Sequence, residues 1–211
     1  MARLSNIKNL IFDLGGVIID LNLPAAYQAF ASLSNLSVSE IVKRTNGLML
    51  FTDYEKGLVT SEEFREQIGS LLNIPASADT IDDAWCTMLG NIPIERLELL
   101  SSLLPKFRTF ALSNTNDIHA ERFDSMIGQT IGNKGLLNEY FEKVYFSHEM
   151  KMRKPDAEIY QAVLDEQRLV PAETLFIDDN LENINGASTL GIRTLHLQTP
   201  QQLITFFNGD Q

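Results

Sequence analysis

The sequence predicts an α/β protein, a Rossmann-like parallel sheet with helices on both faces, plus a helical block inserted after its first strand. Three observations carry this. Apolar runs of strand length recur at IKNLIF (7–12), RTFALS (108–113), KVYFS (143–147), TLFID (174–178) and IRTLHL (192–197). Helical segments separate the last four, and strands alternating with helices of about 10–15 residues indicate a parallel sheet. Residues 21 to about 104 read instead as five helices with short breaks.

In the stretch LIFDLGGVIID (10–20), Leu10, Ile11 and Phe12 read as a strand buried on both faces, delivering Asp13 to its end. Gly15 and Gly16 behind it let the backbone turn back sharply. The inserted helices are NLPAAYQAFASLS, VSEIVKRTN, TSEEFREQIGSLL, TIDDAWCTMLG and IERLELLSSLLP. Thr60 or Ser61 with Glu63 resembles an N-cap with acids in the first turn. Trp85, Cys86 and Met88 are expected to pack inside this bundle. Farther on, NDIHAERFDSMI starts with Asn116 as N-cap, PDAEIYQAVLDEQ starts with proline, and ENINGASTLG ends on a glycine suited to a C-cap. The core is therefore expected at 1–20 and 105–211, and a cap domain at 21–104.

The 211 residues carry a formal net charge of −11, with 44% hydrophobic and 21% charged residues. That field opposes general binding to nucleic acid or anionic membranes. The single cysteine, Cys86, excludes an internal disulfide and a cysteine-built zinc site. MARLSNIKNL lacks the apolar region of a signal peptide, and no run reaches the roughly 18 apolar residues of a membrane span. A cytoplasmic globular protein is expected. Neither G-x-x-x-x-G-K-[ST] nor G-x-G-x-x-G occurs, which argues against a P-loop ATPase or a dinucleotide enzyme.

Four places with reactive side chains follow the predicted strands, where ligands bind in open α/β sheets. They are Asp13, Ser113 in ALSNT, Lys154 in KMRKPD, and the pair Asp178–Asp179 in LFIDDN. Each alone has a plain structural explanation: a turn, a helix cap, a Lys-Pro before a helix, a βα turn. Together they supply one reaction. Carboxylates converging on one spot repel, and a hard divalent cation, Mg²⁺, compensates. A cation, a lysine, a hydroxyl and backbone N–H groups cradle a phosphoryl group. Asp13 is then free to attack as a nucleophile, giving an acyl phosphate that water hydrolyses, with a carbonyl near Gly15 as a further metal ligand.

These residues resemble the four motifs of the haloacid dehalogenase (HAD) superfamily along the whole chain. The resemblance implies Asp13 as nucleophile, and Ser113, Asn114 and Lys154 as phosphate-binding residues. It implies Asp13, Gly15, Asp178 and Asp179 as the metal set, Asp179 directly and Asp178 through water. YEKGLVTSEEF, LSNTNDIH and MRKPDAEIY are similar to the branch with small helical caps that contains sugar-1-phosphate phosphatases. The expected protein is a Mg²⁺-dependent phosphatase of a small phosphorylated metabolite, a sugar 1-phosphate favoured. Its small cap seals the site within one chain, so a monomer is expected.

One position departs from most such phosphatases. Where the first motif reads D-x-D, with the second Asp protonating the leaving oxygen, this chain has Gly15. Losing a general acid costs about 10²–10⁴ in rate, least for a weakly basic leaving oxygen such as an anomeric one. Asp20, His119 and Tyr54 are substitutes to weigh, His119 being first a packing histidine. The rivals are a non-catalytic HAD-fold binder of a metabolite or a protein partner, a dehalogenase, and a phosphonate hydrolase using Lys43 or Lys56.

Overall fold

A computed structural model describes residues 4–209; residues 1–3 and 210–211 of the expected core lie outside the described residues. Its centre is a five-stranded parallel sheet of β1 (Asn9–Phe12), β2 (Arg108–Ser113), β3 (Lys143–Phe146), β4 (Thr174–Asp178) and β5 (Arg193–His196) in the order β3-β2-β1-β4-β5. The first strand lies between the second and the fourth, with Ile11 paired to Phe110 on one side and Phe176 on the other. All four of its residues are buried, which is why it reads as an unbroken apolar run.

Alternation along the strands divides the core. Leu10 and Phe12 face one side with Ala111, Leu175 and Ile177. Ile11 faces the other with Phe110, Leu112 and Phe176. On the first side pack α6 (Ile94–Leu103), α7 (Asp117–Ile131) and α11 (Gln201–Asn208), through Leu100, Ile127 and Leu203. On the second pack α9 (Ala157–Gln167) and α10 (Leu181–Ser188), through Val163 and Ala187. A single-turn α8 (Ser147–Met150) follows β3 directly.

The inserted block holds α1 (Leu23–Leu33), α2 (Val38–Thr45), α3 (Met49–Glu55), α4 (Ser61–Leu72) and α5 (Ala78–Cys86) around Phe30, Tyr54, Phe64 and Trp85. Thr60, not Ser61, caps α4, in a capping box with Glu63. Three helices, α3, the single-turn α8 and α11, have no counterpart among those expected from the sequence. For α3, no capping side chain marks the start; α11 likewise begins without one. Helix α6, read as the fifth helix of the insertion, has Leu97, Leu100 and Leu103 in the same cluster as β1. The chain crosses between the two units twice, side by side: Asp20 N–H donates to Asn91 O (2.9 Å), Gly90 N–H to Asp20 O (2.7 Å) and Asn22 N–H to Met88 O (2.8 Å). We therefore propose that the cap spans 22–89 and that α6 belongs to the core. Among the described residues, no helix is long and apolar enough to cross a membrane.

Candidate active site

The carboxyl edge of the sheet gathers the sequence-predicted residues. Asp13 follows β1, Ser113 ends β2, Asp178 ends β4 and Asp179 follows it. Lys154 reaches the same point from the loop before α9. Its Nζ is fully buried and donates to Leu112 O (2.7 Å), Asp178 Oδ2 (2.8 Å) and Asp13 Oδ1 (2.9 Å). Asp13, Asp178 and Asp179 bring carboxylate oxygens within 4.8 Å of one another.

The two glycines have different tasks. Gly16 adopts φ +73°, and a Cβ there would lie 2.2 Å from Asp179 Oδ2. The left-handed turn and the absent side chain let the acid lie against the loop. A Cβ on Gly15 would meet Leu21 Cδ1 at 2.9 Å. The space where a second acid would stand is therefore bordered by a leucine from the crossing to the cap.

Asp178 is held on both oxygens. Oδ1 accepts from Asn180 N–H (2.8 Å) and Asn183 Nδ2 (3.1 Å), and Oδ2 from Lys154 and Asn183 (3.0 Å). Asp179 is the more exposed acid. Burial pushes Asp13's carboxyl above its ordinary range; Lys154 opposes this, while Asp178 and Asp179 add to it. Burial and then Asp178 raise Asp179. Burial alone would lower Lys154, but the two acids beside it outweigh that and hold it protonated. Three carboxylates against one ammonium leave about two formal charges uncompensated, and an all-oxygen donor set of this kind fits a hard divalent cation.

Asn114, expected to bind phosphate, lines the cavity described below, and its side-chain amide is used on Lys154. Its side-chain amide donates to Lys154 O and accepts from Lys154 N–H, both at 3.0 Å, so it fixes the lysine's backbone. Asn183 and Arg153 were not singled out in the sequence. The only signal for Asn183 is its place in the first turn of α10, five residues after Asp178.

A cavity of about 380 Å³ opens over Asp13, Ser113 and Asp179, beneath Glu55, Trp85 and Met88 of the cap. The three candidate acids for the missing group lie in different surroundings. Asp20 is bonded by Arg96 Nη2 at 2.7 Å and does not line the cavity. Tyr54 is buried against Phe64 and bonded to Ser61 Oγ (2.8 Å), with its hydroxyl pushed up to about 12, mainly by burial. His119 does line the cavity, but burial pushes its imidazole from 6.5 to about 4, so it stands neutral. One tautomer satisfies its contacts: Asn116 Nδ2 donates to Nδ1 (3.3 Å), and Nε2–H donates to Trp85 O (3.4 Å). Its ring also stacks on Trp85, at 4.9 Å between centroids. It is a bridge between α7 and the cap. Lys43 and Lys56 are absent from the cavity wall, and Lys56 pairs with Asp156 at 3.0 Å.

His119 yields a stability prediction. Between pH 6.5 and about 4 the unfolded chain takes up a proton that the folded one refuses, so its contribution falls with pH. The stability gap between wild type and His119→Gln should narrow by about 1.4 kcal/mol per pH unit on acidification through that window. Urea unfolding of both proteins at several pH values reads it; a gap that widens contradicts the neutral assignment.

The comparisons with known proteins agree with this geometry. The model of the haloacid dehalogenase-like hydrolase family matches residues 7–191. The chain is 30% identical to the D-ribitol-5-phosphate phosphatase of Bacteroides thetaiotaomicron, over 89% of this chain and 90% of that one. A HAD family enzyme of the same bacterium, solved with magnesium and inorganic phosphate, superposes with a TM-score of 0.81 at 38% identity, covering 90% of this chain and 93% of the other. A HAD-like family hydrolase from Porphyromonas gingivalis gives a TM-score of 0.82 at 32% identity, over 91% of each chain. A buried lysine among strand-end acids, and a family match over most of the sequence, lead to one conclusion: the chain belongs to the haloacid dehalogenase-like hydrolase family.

Proposed function

We propose that the protein is a Mg²⁺-dependent phosphatase of small, soluble phosphate monoesters, working as a monomer through an aspartyl-phosphate on Asp13. The observation that carries this is the convergence of Asp13, Asp178 and Asp179 on the buried ammonium of Lys154, with Asp13, Asp179 and Ser113 open to one cavity. Asp13, Asp179 and the Gly15 carbonyl would hold the metal directly. Asp178, occupied by Asn180, Asn183 and Lys154, would act through water. Bound Mg²⁺ would supply charge neutralisation for a phosphoryl group beside three acids.

Asp13 Oδ1 accepts from Leu14 N–H (2.7 Å) and from Lys154. This leaves Oδ2 to form the bond to phosphorus while the bond to the leaving oxygen breaks. Lys154 and the Ser113 hydroxyl stabilise the charge on the phosphoryl oxygens. Asn114 offers the phosphate its main-chain N–H, its amide being committed to Lys154. Water then attacks phosphorus, releasing phosphate and restoring Asp13. With Gly15 in place of an acid, the leaving oxygen gets no carboxyl proton, which favours a weakly basic one. A sugar 1-phosphate meets that condition; the similar phosphatase named for D-ribitol 5-phosphate supports the wider class of polyhydroxylated esters.

Hydrolysis of sugar 1-phosphates, polyol phosphates and p-nitrophenyl phosphate, with Mg²⁺ and with EDTA, tests this. Metal-dependent phosphate release is expected, highest on the hydroxylated esters. No release from any ester would transfer the weight to a binding role. Gly16→Ala should raise the Mg²⁺ concentration for half-maximal rate by about tenfold or more, because its methyl displaces Asp179. A magnesium titration of both proteins reads this, and an unmoved midpoint would remove Asp179 from the metal set.

A further inference from the structure

The C-terminal end of α3 and the two residues after it are tied to the loop that carries Lys154 by three links. Arg153 Nε donates to Glu55 Oε2 (2.5 Å), Lys56 Nζ to Asp156 Oδ2 (3.0 Å), and Lys151 Nζ to Gly57 O (2.7 Å). Gly57 lies so close to the core that a Cβ would fall 2.3 Å from His148 O. The residues of two of the links do not line the cavity. Those of the third do: Glu55 and Arg153 both line it.

Glu55 is the only charged residue that the cap contributes to the cavity wall among the described residues; Leu21, Trp85, Met88 and Leu89 around it are apolar apart from the indole N–H. Arg153 is half-buried and also donates from Nη1 to Lys154 O (3.0 Å), so its guanidinium is braced against the core. The pair is neutral as a whole, and a neutral pair tolerates an anionic substrate beneath it. Glu55 uses only Oε2 on Arg153; among the described residues Oε1 has no hydrogen-bond partner. A fixed carboxylate with a spare oxygen, set among the apolar residues that the cap contributes, is an acceptor for hydroxyl groups.

We infer that Glu55 is a specificity-determining residue: its carboxylate, aligned by Arg153 as a positioning residue, accepts hydrogen bonds from hydroxyls of the leaving group. The inference rests on the phosphatase reading, which places the phosphate on the floor and the leaving group toward the cap. Closure does not depend on Glu55, since Lys56 and Lys151 hold the same segment.

The test compares D-ribitol 5-phosphate with n-pentyl phosphate, the same five-carbon ester without the other hydroxyls, for wild type, Glu55→Gln and Arg153→Lys. A hydrogen bond to a charged acceptor is worth about a tenfold to hundredfold change. The ratio of kcat/KM for the polyol ester over the alkyl ester should fall by about tenfold or more in Glu55→Gln. It should fall in the same direction, by less, in Arg153→Lys, where the charge remains and the planar fork is lost. Equal losses on both esters in Glu55→Gln would mean that the pair only closes the cap, and would overturn the inference while leaving the phosphatase reading intact. A wild type inert on both esters and on p-nitrophenyl phosphate would overturn the phosphatase reading, and the inference with it.

Discussion

Asp13→Asn loses turnover by at least about 10³-fold with the fold unchanged. The amide oxygen can still accept from Leu14 N–H and from Lys154, so the loop after β1 keeps its anchors. What disappears is the charged oxygen that would attack phosphorus. Burying an amide is also easier than burying a carboxylate beside Asp178 and Asp179, so the variant should melt no lower than wild type. Phosphate release from p-nitrophenyl phosphate and a thermal melt in EDTA measure the two halves. Activity within tenfold of wild type would exclude an aspartyl-phosphate on Asp13.

Lys154→Met destabilises the protein by about 3–5 kcal/mol as well as removing activity. The side chain is 0% exposed and satisfies Leu112 O, Asp13 and Asp178 at once. Methionine fills the space but leaves two buried or nearly buried acids without their ammonium. A divalent cation among the same carboxylates should restore part of the loss, because a ligand that binds only the folded chain stabilises it. Urea unfolding in EDTA and in excess Mg²⁺ distinguishes the contributions. A loss below about 1 kcal/mol in EDTA would show that the lysine does not neutralise the acids. A loss equal in both conditions would argue against a metal beside them.

Much of this site is legible in the amino-acid sequence because strand ends are sharp events along it. LIF, FAL and LFI are apolar on both faces, and a polar residue straight after such a run has to emerge at the carboxyl edge of the sheet. Asp13, Ser113 and Asp178 follow from that rule, and Lys154 from the resemblance of its motif. Residues whose partners are distant in the chain are not legible in this way. Arg153 and Glu55 are 98 positions apart, Asn114 and Lys154 are 40 apart, and no local pattern joins them. Asn114 looks like a phosphate ligand in sequence, and only its two bonds to Lys154 show where its amide is used. Asp20 and Tyr54 are reactive side chains near the motifs, yet Arg96 and Ser61 bind them outside the cavity.

By itself the sequence determined the parallel sheet, its order of acid, serine, lysine and acid pair, and the presence of an inserted helical unit. These depend on periodicity and on burial that is local to each strand. The tertiary structure alone decided that α6 packs with β1 rather than with the cap, that Leu21 borders the empty place beside Gly15, and that His119 stands neutral against Trp85. Helix α6 is amphipathic whichever unit it covers, and a side chain's protonation or blockage depends on what is folded over it. Those outcomes arise from contacts between separate elements, and the free energy of such contacts is not written in the spacing of either partner.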